Sequence, residues 1–297
     1  MAKFRRNHTK VGNGSTSIIR IILIVAVVGV VFYILSSLLN KINFDPDYQL
    51  SSDELRDSLY HLPSGSSGQV IHHEHYSLSY IEKFEQAEWV AYELTKASLK
   101  LPNVPRAKRF EIDPSVKTGS ARYHDYKGTG YSRGHLAPAA DMAFSEQAME
   151  ECFFMSNMSP QLSVFNGGVW NELENLVRDW AYKNNRLIVV TGPIFSDEMD
   201  KIKGGVAIPQ QFYKVLLDFE APEKKAIGFI LPHEKSVEQM SAYAVSVNEV
   251  EELTGLDFFE GLISDELEEE LEAEFNMNLW PLDKSLYKQR INHWNNR

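Results

Sequence analysis

Cysteine is almost missing from this chain: Cys152 is the only one among 297 residues. No intramolecular disulfide can form, and a zinc site built from two to four thiolates is excluded. Cys152 lies in the apolar run CFFM with no neighbour to lower its pKa, so it reads as a small buried hydrophobe, not a nucleophile. The sequence has no internal repeats, which sets aside solenoid and propeller architectures. Two stretches lack charge of one or both signs. Residues 21–39 carry none at all, and residues 249–274 hold twelve acids but no Lys or Arg. The remaining composition, 43% hydrophobic and 24% charged, suits one large globular domain or two small ones.

The formal net charge is −11, which argues against a protein that is basic as a whole. Its distribution is more informative. The first forty residues contain five basic side chains (Lys3, Arg5, Arg6, Lys10, Arg20) and no acid. Residues 100–135 hold eight Lys/Arg against three acids, while the acidic run at 249–274 accounts for most of the negative excess. A phosphate-binding cleft needs local positive potential only, and residues 100–135 are the candidate.

Residues 18–39 are apolar apart from Arg20 and show no polar face, and about 20 such residues span a bilayer as a helix. Basic residues precede them, so the expected topology is a cytoplasmic tail at 1–17, a signal-anchor helix at 18–39 and an extracytoplasmic remainder, periplasmic or extracellular. The competing expectation is a cleaved signal and a secreted protein, although no A-x-A site follows the run. Residues 40–68 are polar, end in a Pro/Gly/Ser stretch, and are expected to form a linker. The expected folded domain spans 69–263, followed by an acidic helix and C-terminal extension at 264–297.

Within that domain, residues 76–80 alternate like a strand, and residues 84–99 fit a strand followed by a loop or short helix. Residues 186–195, 211–219 and 225–231 read as three strands, the last two as an antiparallel hairpin. Residues 169–184 place Trp170, Leu173, Leu176, Val177 and Trp180 on one helical stripe. Helices are also expected at 237–253 and 264–275. Strands and helices do not alternate in a βαβ rhythm, so the expected class is α+β with a central antiparallel sheet.

The densest polar signal is residues 131–138, YSRGHLAP, expected to be an irregular connection because of its glycines and proline. His135 is a candidate general base and Arg133 a candidate phosphate ligand. Further on come SNMSPQ (residues 156–161) and FNGGVWNELE (residues 165–174). Asn166 is placed for an ordinary helix N-cap. With Glu174 two turns along, it also offers an amide oxygen and a carboxylate to a hard cation such as Mg²⁺. Residues 72–75, HHEH, read as a polar strand edge, His233 as part of a turn, and Trp280, Tyr287 and Trp294 as packing or assembly residues.

Taken in order, GYSRGHLAPAADM, SNMSPQ and FNGGVWNELE resemble the DNA/RNA non-specific endonucleases of the ββα-metal type. WVAYELT (89–95), VTGPIF (190–195), IPQQFYKV (208–215) and residues 243–259 extend the resemblance over about residues 70–263. The resemblance implies a ββα-metal fold and metal-dependent hydrolysis of DNA and RNA to 5′-phosphate and 3′-hydroxyl ends. It makes His135 the base, Asn166 the metal ligand, Glu174 the holder of the metal's water shell, and Asn157 a supporting residue. Arg133 matches the motif arginine, and Arg106 a further phosphate contact, with Arg109 and Lys108 as alternatives for that role. The implied cofactor is Mg²⁺, with Mn²⁺ as a substitute. The expected partners are DNA and RNA as substrate, the membrane, and a second copy of the chain in a homodimer. Ser132 departs from the family pattern, which often has Asp there. Two rival functions are an inactive binding module and a phosphodiesterase for smaller esters.

Overall fold

The computed structural model describes residues 62–220 and 223–295. They form an α+β fold whose centre is a seven-stranded antiparallel sheet. Its strands are β1 (Gln69–His72), β2 (Ser77–Ile81), β3 (Gln86–Thr95), β6 (Arg186–Ile194), β7 (Gln211–Asp218), β8 (Lys225–Pro232) and β9 (Ala244–Val245), adjacent in that order. A separate two-stranded ribbon pairs β4 (Tyr131–His135) with β5 (Met158–Leu162).

The central strands are apolar on both faces because both faces are covered. On β3, β6, β7 and β8, alternate residues such as Val90, Val189, Phe212 and Phe229 face one core. Trp89, Val190, Tyr213 and Ala226 face the other. The period-2 geometry of a strand makes that division. The first core is covered by α3 (Asn171–Asn184), whose Leu173, Leu176, Val177, Trp180 and Ala181 are buried. The second is covered by α4 (Val247–Thr254) and by Phe258 and Phe259. The short helices α1 (Lys96–Leu99) and α2 (Glu146–Glu151) lie in the connections. The chain ends with α5 (Asp265–Ala273) and α6 (Lys284–Gln289).

Two expectations are corrected here. Residues 131–135 are not an irregular connection but strand β4, in full register with β5. The glycine that suggested a loop is required by packing: a Cβ on Gly134 would lie 2.0 Å from Oε1 of Gln161. The helix expected at 237–253 begins only at Val247. Ser246 caps it by accepting the Glu249 amide, and Glu249 returns a bond to the Ser246 amide. Upstream, the carbonyls of Ser236 and Glu238 accept from Arg290 instead of entering a helix.

The last residues of the expected linker are docked. Ser67 and Gly68 donate to the Glu88 carboxylate, and Ser64 forms a backbone bridge with Asp257. Residues 18–39, where the membrane helix was expected, lie outside the described residues. Among the described residues no helix is long and apolar enough to cross a membrane.

Candidate active site

The β4–β5 ribbon is anchored to the sheet by two polar contacts. Ser159 Oγ donates to Gln86 Oε1, and the Leu162 amide donates to Nε2 of His233 at 2.7 Å. His233, expected in a simple turn, donates from Nδ1 to the Pro209 carbonyl. It thereby fixes its tautomer and ties β5 to the start of β7. After β5 the chain makes a π-type turn, Phe165–Trp170, broken at Gly168, and continues as α3. The ribbon, this turn and the first two turns of α3 enclose an open cleft of about 440 Å³.

His135, at the end of β4, is buried in the wall of this cleft, and its Nε2 has no hydrogen-bond partner. Its ring lies edge-on to Phe153 at 4.8 Å and tilted against Phe110 at 5.9 Å. Burial among these rings, with the Arg106 guanidinium nearby, lowers the imidazole to about 3. The ring is therefore neutral near neutral pH and can accept a proton. Arg133 stacks on Tyr123 (4.2 Å) and Phe110 (5.0 Å), and Arg106 stacks on Phe153 (4.9 Å). Both guanidiniums are thus held at the cleft by aromatic faces.

Across the cleft, the side-chain nitrogen of Asn166 donates to Ser132 Oγ at 3.1 Å, and that hydroxyl donates to the Gln161 carbonyl at 2.7 Å. Ser132 thus occupies the amide nitrogen and leaves the Asn166 oxygen available. Glu174 lines the same cleft, half-buried. Burial raises its pKa, while Arg178 and Lys214 draw it back down. Beneath it Arg178 Nη1 contacts Asp141 Oδ1 at 2.5 Å, and Tyr92 donates to the other Asp141 oxygen at 2.7 Å. Lys214 is fully buried 4.9 Å from the Trp170 ring, and burial lowers its pKa. The floor of the cleft is consequently a packed charge network that fixes the first turns of α3.

The cleft brings together His135, Arg133, Arg106, Asn166 and Glu174. Two expected residues lie elsewhere. Asn157 is fully buried behind β4 and spends its amide on backbone. Its Oδ1 accepts from the Ala137 amide, and its Nδ2 donates to the Ala137 and Cys152 carbonyls. It positions the chain leaving His135 without reaching the cleft. Arg109 is exposed and does not line the cleft, nor does Lys108. The HHEH histidines take separate partners: His72 contacts Ser77, His73 contacts Asp113, and His75 contacts Glu151. They do not converge on one site.

Trp294 was not expected at the site. It lines the cleft from the C-terminal extension and packs so closely on Gly167 that a Cβ there would lie 2.3 Å from its ring. The extension is held by Arg290, whose Nε donates to buried Glu172 at 2.6 Å, and by buried Trp280, edge-on to Trp180. No local pattern in residues 277–295 indicates this contact, because its partners lie one hundred residues or more away.

The donor set fits a hard cation: one neutral amide oxygen and one carboxylate, with no thiolate or imidazole cluster, as suits an ion that keeps most of its waters. A base, an oxygen-donor pair and two arginines in one open groove define a phosphodiester-cleaving centre. The sequence comparisons agree, and the chain belongs to the DNA/RNA non-specific endonuclease family, whose pattern matches residues 58–265. It is 35% identical over 215 residues to nuclease C1 of Cunninghamella echinulata var. echinulata, covering 67% of this chain and 85% of that one. It is 35% identical over 207 residues to mitochondrial nuclease EXOG of Danio rerio. That match covers 64% of this chain and 60% of the relative's length. A solved structure of the EndoG/EndoGI complex superposes with a TM-score of 0.64 at 30% identity. The superposition covers 71% of this chain and 93% of that chain.

These relatives overturn the expected localisation. The EXOG relative and a Saccharomyces cerevisiae relative carry mitochondrial names, against the periplasmic or extracellular location expected. That localisation is withdrawn; residues 18–39, on which the membrane partner was expected to rest, lie outside the described residues.

Proposed function

We propose that this endonuclease hydrolyses DNA and RNA in the cleft described above, leaving 5′-phosphate and 3′-hydroxyl ends. The observation that carries this reading is the buried ring of His135, its Nε2 without a hydrogen-bond partner, in the wall of a groove shared with Asn166, Glu174 and two arginines.

In this reading β4, β5, the π-type turn and α3 form the ββα-metal unit. The Asn166 oxygen would hold Mg²⁺, or Mn²⁺ in its place, with the Glu174 carboxylate placed to bond its waters. When bound, the cation supplies positive charge where the leaving 3′ oxygen becomes anionic. The remaining work belongs to the protein. His135 accepts the proton of the attacking water on its neutral imidazole. An anionic phosphate beside the ring raises its basicity from the low value set by burial. Arg133 and Arg106, fixed on their aromatic supports, stabilise the added charge on the phosphoryl oxygens. Water as nucleophile makes the ribose 2′-hydroxyl dispensable, so both polymers are substrates. Contacts to phosphate alone carry no sequence information.

The test is the chemistry of the ends. Plasmid fragments produced by the enzyme should be religated by a ligase without phosphatase or kinase treatment. Fragments that require 3′-phosphate removal would overturn the assigned polarity of cleavage.

A further inference from the structure

On the face of the sheet opposite the cleft, Glu251 of α4, Asp257 of the following loop and Glu272 of α5 point at one another. One carboxylate oxygen from each lies within 4.8 Å of the others. Glu272 is only 7% exposed, and its Oε1 is buried with no hydrogen-bond partner, as is Oδ1 of Asp257. Glu272 is also the only buried residue of α5, a helix with six acids and no base. A helix that docks through a glutamate against two more carboxylates has nothing in its own sequence to offset the repulsion. Burial pushes the Glu272 carboxyl up to about 8, helped by its electrostatic neighbours Glu251, Glu268 and Asp257, all acids.

We propose that Glu251, Asp257 and Glu272 form a structural site for a hard divalent cation of calcium's size. Calcium takes oxygen ligands at about 2.3–2.6 Å, so no two of its ligands lie more than about 5 Å apart, a bound that these three oxygens meet. The cation would join α4 to α5. It would also fix the loop whose Asp257 backbone bridges Ser64 at the start of the described domain. The site shares no residue with the cleft, so its role is stability and not turnover.

The experiment uses the full chain, stripped with EDTA, as wild type, Glu272→Gln, Asp257→Asn and Asn166→Ala. Thermal unfolding is recorded with and without about 5 mM CaCl₂, and calcium binding is titrated calorimetrically. Calcium should raise the Tm of wild type and Asn166→Ala by about 5 °C, and should leave Glu272→Gln and Asp257→Asn unmoved. Without calcium, Glu272→Gln should be at least as stable as wild type, because a neutral amide has neither a charge to bury nor a proton to take up among the other acids. An absent calcium effect on wild type, or an equal effect on Glu272→Gln, overturns the proposal. Binding lost in Asn166→Ala but kept in Glu272→Gln assigns the ion to the cleft and also overturns it.

Discussion

Replacing Arg290 with Met should be among the most damaging single changes outside the cleft. The guanidinium is 2% exposed and its partner Glu172 is 4% exposed, with Nε donating to Oε2 at 2.6 Å. Its other nitrogens donate to the carbonyls of Ser236 and Glu238. Methionine matches the aliphatic volume but leaves a buried carboxylate and the Glu238 carbonyl unpaired, while the Ser236 carbonyl keeps the Asn295 amide. Breaking a buried pair from one side costs about 3–5 kcal/mol. In a domain of this size each kcal/mol moves Tm by about 2–4 °C, so a fall of about 10 °C is expected. The Glu172→Gln/Arg290→Met double variant should recover about 1–2 kcal/mol, because the neutral amide is cheaper to bury. Burial already raises the Glu172 pKa, while Arg290 lowers it. Without Arg290 the folded-state pKa rises further above the unfolded value. The folded state then binds the extra proton, so the defect should shrink as pH falls toward 4.5 and be full above the folded pKa. Urea denaturation of both variants from pH 4.5 to 8 measures this. A loss under about 1 kcal/mol, or a defect that does not change with pH, would refute the reasoning.

Other consequences can be checked in the same preparations. Ser132→Ala removes the acceptor that orients Asn166 and should lower kcat/KM about tenfold, the equivalent of one hydrogen bond. Comparable activity in Ser132→Ala would show that Asn166 needs no such restraint. Arg106→Ala should reduce kcat/KM about 100-fold, whereas Arg109→Ala, outside the cleft, should stay within about threefold in steady-state assays on one substrate. His135 has a folded pKa lowered to about 3, so the unfolded chain binds its proton first. Its contribution to stability is complete above about 6.5 and is lost as pH falls, by up to about 1.4 kcal/mol per unit. Unfolding of wild type and His135→Ala compared from pH 7 to 4 should show the smaller loss in the variant.

Much of this is legible in the sequence. The strands at 186–194, 211–218 and 225–232 are long apolar runs because the sheet is covered on both faces, and α3 shows its stripe because one face meets that sheet. Four of the cleft residues, His135, Arg133, Asn166 and Glu174, stand in the dense, ordered motifs that carry the resemblance. The strand character of β4 was hidden by Gly134, whose reason is the Gln161 side chain lying across the ribbon. The late start of α4 depends on Arg290, fifty residues further on. Trp294 reaches the cleft only through that same long-range tether. Such contacts leave no periodic trace, because a single side chain carries each of them. Choosing Arg106 over Arg109 likewise required knowing which arginine stacks on Phe153.

The central claim is that the cleft is a cation-dependent nuclease centre with His135 as its base. The most direct test incubates the full chain and its His135→Ala variant with supercoiled plasmid and with RNA, each in Mg²⁺, in Mn²⁺ and in EDTA. The account predicts that wild type degrades both polymers with either metal and neither polymer in EDTA, and that His135→Ala loses at least about 100-fold in rate on both. Undiminished cleavage by His135→Ala, or cleavage that persists in EDTA, would contradict it.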